Sequence, residues 1–225
     1  MEQKNQKKVV ITGGNNGIGM ALAQLLLDQQ YQVTITLKPG QSPKWQHTHL
    51  KTVALEITDA YSIAQAAKTL EAECGGIDIL VNCAGVATDA YFIIPEYESF
   101  KRTIDVNLTG LVFFNEAVLG LVSKGGHIIN VSSDMGLLSQ ADTNGPAYRI
   151  SKAALNMYTK MLALRMRETG IRVTAVHPGW VRTNVGGADA PMDTTTSAEG
   201  IYGVIMDAKR NGEFRNIAND DCFLL

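Results

Sequence analysis

Cysteine is scarce in this chain. There are three among 225 residues, Cys74, Cys83 and Cys222, widely spaced and matching no metal-ligand pattern. Neither a disulfide framework nor a zinc or other metal site is expected, and a reduced, cytoplasmic protein fits best. No apolar run approaches the ~20 residues a spanning helix requires, so no membrane partner is expected. The opening MEQKNQKK is polar and leads straight into a strand-like segment, which does not read as a signal peptide. Neither sign of charge dominates: 20 Lys and Arg face 22 Asp and Glu, for a net charge of −2. Nothing in that balance draws the chain to nucleic acid or to an anionic surface. Linkers and repeats are absent too, and the length suits one well-cored domain spanning 1–225.

What the chain does have is alternation. Short β-branched runs at 7–12, 31–37, 51–57, 76–82, 127–133 and 171–177 are separated by longer segments of helical period. The helical segments are GIGMALAQLLLDQQ, about 60–73, about 96–122 and about 147–168. Apolar strands alternating with helices predict βαβ units, hence a mostly parallel sheet covered on both faces. The fold expected is a doubly wound, Rossmann-like α/β domain. The stretch Pro39–His49 is too short and polar for a helix and is expected to be a loop. The tail from Gly212 is expected to add a seventh strand at the edge, and 185–196 to form a small mobile lid.

Two stretches point to chemistry. TGGNNGIG, 12–19, lies where the first strand meets the first helix. Glycines there let backbone approach a ligand, and the helix start offers free N–H groups to a pyrophosphate. YRISK, 148–152, puts a tyrosine and a lysine on one helical face. A free phenol has a pKa near 10, about three units or about 4 kcal/mol too high for easy exchange at neutral pH. An ammonium about 4 Å away supplies about 4 kcal/mol at an effective dielectric of 20, so one lysine is the right size to tune it.

The order TGGNNGIG, LVNCAG, DVNLTG, INVSS, YRISK, HPGWVRT resembles the short-chain dehydrogenase/reductase family over nearly the whole chain. Within it the chain looks most like the carbonyl reductase and C-factor groups. The resemblance implies a catalytic set of Asn107, Ser133, Tyr148 and Lys152, with Tyr148 protonating a carbonyl oxygen as hydride reaches carbon. Ser133 would polarise that oxygen, and Ser132 competes for the role, since alternation lets only one face the site. Asn107 would hold a water relaying protons from Lys152, or merely bond backbone.

For the cofactor the resemblance implies Gly13, Asn15, Asn16, Gly17, Ile18 and Gly19 at the phosphates, and Glu56 and Ile57 at the adenine. Asn82, Ala84 and Gly85 would run beside it, joined by Tyr148 and Lys152. Pro178, Gly179, Val181 and Thr183 would hold the nicotinamide end. Leu37 stands where NAD-preferring relatives usually carry an acid, and Lys38 follows it, so NADP(H) is expected over NAD(H). Lys38 as an ordinary surface lysine is the competing reading. Met135 and Trp180, with Ser133 and Tyr148, would border the substrate, although Trp180 could equally be core. The activity implied is hydride transfer between NADP(H) and a small carbonyl or alcohol. The alternative is a dinucleotide-binding regulatory or signalling protein with incidental turnover. The two long helices are the surface through which a homo-oligomer would form.

Overall fold

Val9 and Ile11 turn to one side of the first strand and Val10 to the other, and both sides are covered. In this computed structural model, which describes residues 6–208, 211–219 and 221–224, the strands are β1 (Lys8–Thr12), β2 (Gln32–Leu37), β3 (Leu50–Ala54), β4 (Ile77–Asn82), β5 (Val122–Val131), β6 (Arg172–His177), β7 (Glu213–Asn216) and β8 (Cys222–Leu224). They form one sheet in the order β3-β2-β1-β4-β5-β6-β7-β8, with β1 to β7 parallel and β8 antiparallel to β7. The helices are α1 (Gly17–Asp28), α2 (Ala60–Cys74), α3 (Tyr97–Ile104), α4 (Leu111–Val118), α5 (Pro146–Arg165) and α6 (Thr194–Met206). α1 and α6 close one face, with Leu22, Leu26 and Ile201 against Val9, Ile11 and Ile35. α2, α4 and α5 close the other, with Leu70, Phe114 and Leu162 against Val10, Leu80 and Ile128. The chain leaves β1 towards β2 on one side and returns to β4 on the other, which opens a crevice at the carboxyl ends of the strands.

Several expected boundaries move. The long helix is not uniform: Asp105–Gly110 widens into a π-helical turn between α3 and α4. Gly110 sits at the close approach there, since a Cβ on it would lie 2.2 Å from the Ile57 carbonyl oxygen. The helical run Tyr97–Leu121 is long and apolar enough, by composition, to cross a membrane. Here it lies on the sheet, with Phe114 and Val118 fully buried. β5 begins at Val122 rather than 127, and Gly125 and Gly126 fall inside an irregularity where the pairing jumps from Ile77–Val122 to Ile79–His127. The loop 38–49 between β2 and β3 holds no helix, as expected, and β7 is the expected seventh strand. β8 beyond it was not foreseen. Nor was α6, whose TTTSAEGIYGVIM carries three threonines and two glycines of poor helical propensity. Its Asp193 cap and its burial against α1 hold it instead.

The segment 185–196 is therefore shorter than a lid of that length, because its last residues already belong to α6. The remainder is fastened at several points. Trp180 Nε1 donates to the Gly186 carbonyl at 2.7 Å, and Arg182 Nη1 donates to those of Ala190 and Pro191 at 3.0 and 2.8 Å.

Candidate active site

A cleft of about 1050 Å³ runs across the carboxyl ends of β1, β2, β4, β5 and β6. At its centre is the glycine turn. Gly13 has φ +72°, and a Cβ there would sit 3.0 Å from the Ala84 Cα, so the turn can pass the β4 loop this closely only without a side chain. Gly17 has φ +51° and opens α1 beside Thr183, the residue a Cβ would meet first. Thr12 ties the two loops together, its hydroxyl accepting the backbone N–H of Cys83 at 3.0 Å and of Ala84 at 3.1 Å. Backbone N–H groups at the start of α1 face a groove whose floor is glycine and alanine, an environment that fits a dinucleotide pyrophosphate.

One end of the cleft lies beyond β2. Lys38 Nζ is 3.6 Å from the Glu56 carboxylate. Partial burial works against the ionised Glu56, but the hydrogen bonds from Thr58 and the nearby Lys38 hold its carboxyl below the usual range. Asn15 and Asn16 are engaged by the loop after β2: Asn15 accepts from the Lys44 N–H at 2.9 Å and donates to the Ser42 carbonyl at 3.2 Å, and Lys44 Nζ donates to Asn16 Oδ1.

The inner end collects the reactive groups. Ser132 and Ser133 follow β5, and the alternation separates them. Ser132 Oγ turns towards α5 and donates to Asn156 Oδ1 at 2.7 Å. Ser133 Oγ caps the next turn, accepting the Met135 N–H at 3.2 Å, and stands beside the Tyr148 hydroxyl. Gly136 lets that turn press on α5, where a Cβ would come within 2.6 Å of the Lys152 carbonyl carbon. Tyr148 rides on the first turn of α5, whose N–H groups are held by the buried Asp89: its Oδ2 accepts from Ala147 at 2.5 Å and from Tyr148 at 3.4 Å. An anion there is favourable at a helix start.

The electrostatics differ from the expectation. Burial pushes the Tyr148 phenol up to about 12; Ser133 pulls it back, and the Asp134 carboxylate adds to the rise. Lys152 does not offset this. Its Nζ lies 5.5 Å from the centre of the Tyr148 ring and donates to the Val131 carbonyl at 2.9 Å, and burial lowers its own pKa to about 8. Desolvation outweighs the attraction that spacing alone suggested.

Nearly all the expected residues line the cleft, including Ile18, Gly19, Ile57, Gly85, Pro178, Gly179, Val181, Met135 and Trp180. Trp180 is 58% exposed, so it is wall rather than core. Asn82 and Asn107 do not line it. Asn82 points into the protein, where its Nδ2 donates to Asn115 Oδ1 at 3.0 Å and Asn130 Oδ1 at 2.9 Å, and Asn130 in turn donates to Thr159 Oγ1 at 2.9 Å. The Asn107 side chain bonds inside the protein as well: Oδ1 accepts from Val86 N at 2.8 Å, and Nδ2 donates to Val86 O at 2.8 Å and to Ser151 Oγ at 3.2 Å. Both amide hydrogens are thus used, while Oδ1 keeps one further lone pair. Asn107 clamps the loop after β4, close to Gly85 and Lys152. Residues that sequence reasoning missed include Lys44, Gln41, Arg102, Asp134 and His177. Asp134 follows the serine directly and accepts its hydroxyl at 3.1 Å; nothing marked Lys44, 28 residues after Asn16 and in a loop.

A family model described as short chain dehydrogenase matches residues 7–193. The chain belongs to the short-chain dehydrogenase family. Like its relatives there, it is an NAD(P)-dependent oxidoreductase. It is 35% identical over 185 residues to the 3-oxoacyl acyl-carrier-protein reductase FabG of Vibrio harveyi, covering 80% of this chain and 75% of that one. Among solved structures it is similar to the carbonyl reductase Sniffer of D. melanogaster, at 27% identity and a TM-score of 0.86, over 95% of this chain and 97% of that one. A second is the NADPH-bound carbonyl reductase from chicken fatty liver, at 29% identity and a TM-score of 0.85, over 98% and 99%. The short-chain dehydrogenase fold accounts for the glycine turn, the Ser133 turn and α5 meeting in one cleft.

Proposed function

We propose that this protein is a carbonyl reductase using NADP(H), with Tyr148 as the proton donor. The convergence of Ser133, Tyr148 and Lys152 at one end of a cleft whose middle is a glycine cradle supports this most. Bound NADPH supplies the hydride. The chain's own part is proton management and orientation. Ser133 donates a hydrogen bond to the substrate oxygen and draws charge onto it. Tyr148 then gives up its proton. The oxygen left by reduction is an alkoxide, with a conjugate acid near water's ~15.7. A phenol at about 12 protonates it downhill. The gap is about 5 kcal/mol. The reverse direction needs the phenolate, which a raised pKa makes scarce. Lys152, bonded to Val131 O, fixes the floor beside Gly85, and its ammonium lies 5.5 Å from the centre of the Tyr148 ring. Met135 and Trp180 form an apolar wall suited to a small aromatic or aliphatic carbonyl, continued by Val185 and Gly186 of the fastened segment 185–193.

The test is NADPH consumption across a panel of aldehydes, ketones and a 3-oxoacyl thioester, with kcat/KM followed against pH in both directions. Because the phenol is pushed up, alcohol oxidation should keep rising through pH 9 without a plateau, while carbonyl reduction shows no loss from deprotonation of Tyr148 in that range. Oxidation levelling off below pH 8, or no turnover of any member, would reject the assignment.

The same reading includes self-association. Phe113 on α4 and Ile150, Met157, Met161 and Leu164 on α5 are all more than half exposed, and on α5 they fall on one helical stripe. The two helices are already joined, since Arg165 and Tyr158 both bond Glu116. Light scattering should give a multiple of 24.3 kDa at micromolar concentration, and Met161→Glu should reduce it. A monomer mass for the wild type would exclude this interface.

A further inference from the structure

The proposal that the cleft takes NADP(H) leaves open which residue recognises the 2′-phosphate, the group that separates it from NAD(H). The obvious cation is Lys38, directly after β2. Its charge is already matched: the Glu56 carboxylate lies 3.6 Å away and is held ionised. Any phosphate that approaches Lys38 approaches Glu56 as well, and the pair contributes little net attraction. The glycine turn adds no cation, because Asn15 and Asn16 occupy its centre.

Lys44 fills that gap. It lines the same end of the cleft as Thr36, Leu37, Lys38 and Gln41. Its loop is strapped across the turn by Asn15: Oδ1 takes the Lys44 backbone N–H at 2.9 Å, and Nδ2 reaches the Ser42 carbonyl at 3.2 Å. Trp45, the next residue, is half-buried against the α1 side of the core and anchors the strap. The Lys44 ammonium rests on Asn16 Oδ1, an uncharged partner, and among the described residues no carboxylate forms an ion pair with it. An amide oxygen satisfies one N–H and leaves the full positive charge uncompensated, with two further donors to offer.

We propose that Lys44, rather than Lys38, supplies the net charge that selects the 2′-phosphate, and that the Asn15–Asn16 pair serves as its mount. The test is direct binding, by calorimetry, of NADPH, NADH, 2′,5′-ADP and 5′-AMP to the wild type and to Lys44→Gln, Lys38→Gln and Lys44→Arg. Lys44→Gln should weaken NADPH and 2′,5′-ADP by about 10- to 100-fold. NADH and 5′-AMP should hold within about twofold, as expected where only a phosphate contact is lost. Lys44→Arg should keep most of the preference, and Lys38→Gln should cost less than Lys44→Gln. A smaller loss in Lys44→Gln than in Lys38→Gln, with the wild type still preferring NADPH, would overturn the assignment to Lys44 while leaving the cofactor standing. A wild type that binds NADPH no better than NADH would overturn both.

Discussion

Tyr148→Phe should lower kcat for carbonyl reduction by about 10³-fold, within the range known for removing a general acid. Affinity for NADPH should stay within about twofold, because the glycine turn and the rest of the cleft lining are unchanged. The fold should be undisturbed. The ring lies on the cleft wall at the start of α5, and that helix is held by Asp89 through backbone N–H groups that the substitution does not touch. Losing the hydroxyl also frees Ser133 from its neighbour, so the residual rate should come from Ser133 alone and should not follow a phenol titration. The measurement is kcat and KM for one substrate of the panel, with nucleotide affinity determined separately. Equal kcat in the two proteins would eliminate Tyr148 as the donor. A parallel loss of NADPH affinity would point to a collapsed cleft instead.

Gly136→Ala should be nearly as damaging although the residue touches no ligand. Its backbone carries no unusual φ, so the cost is packing alone. The added methyl would meet the Lys152 carbonyl carbon at 2.6 Å and the Ala153 nitrogen at 2.8 Å, both backbone atoms of α5. Either the turn bearing Ser133 or the helix bearing Tyr148 and Lys152 has to move. Overpacking of this kind costs about 1–3 kcal/mol of stability. A misplacement near 1 Å costs about 100-fold in rate. Denaturant unfolding and kcat should therefore both fall, with nucleotide affinity less affected. Gly203→Ala in α6, where a Cβ meets nothing within 4 Å, is the matched control and should leave both unchanged or gain slightly in stability. If Gly136→Ala matched that control, the serine turn and α5 would not be held as rigidly as the packing implies.

Most of the fold could be read from the sequence because the apolar runs and the helical stripes are local signals. The motif residues could be read for the same reason: the glycines, Ser133, Tyr148 and Lys152 sit at fixed offsets from element ends. Four things could not. Asn82 closes β4, and nothing in NCAG tells which side its amide faces; the structure turns it towards Asn115 and Asn130. Lys44 reaches the cleft only through tertiary bonds between a loop and the glycine turn. The state of the phenol depends on how much water the folded walls exclude, and a count of residues between Tyr148 and Lys152 carries no such information. α6 escaped notice because its propensities are poor and its reason for existing is the surface of α1.

The buried amides beneath the site have a consequence for what can vary around it. Asn82, Asn115, Asn130 and Thr159 link β4, β5, α4 and α5 through directional bonds. Greasy contacts would let α5 slide or rotate by a fraction of a turn with little penalty, whereas a chain of paired amides tolerates one registration. Tyr148 and Lys152 thus inherit their coordinates from a girder set deep in the protein. On the proposed reading, segments around the rim can be exchanged for others of different length or polarity, changing which substrate is admitted, without loosening Tyr148.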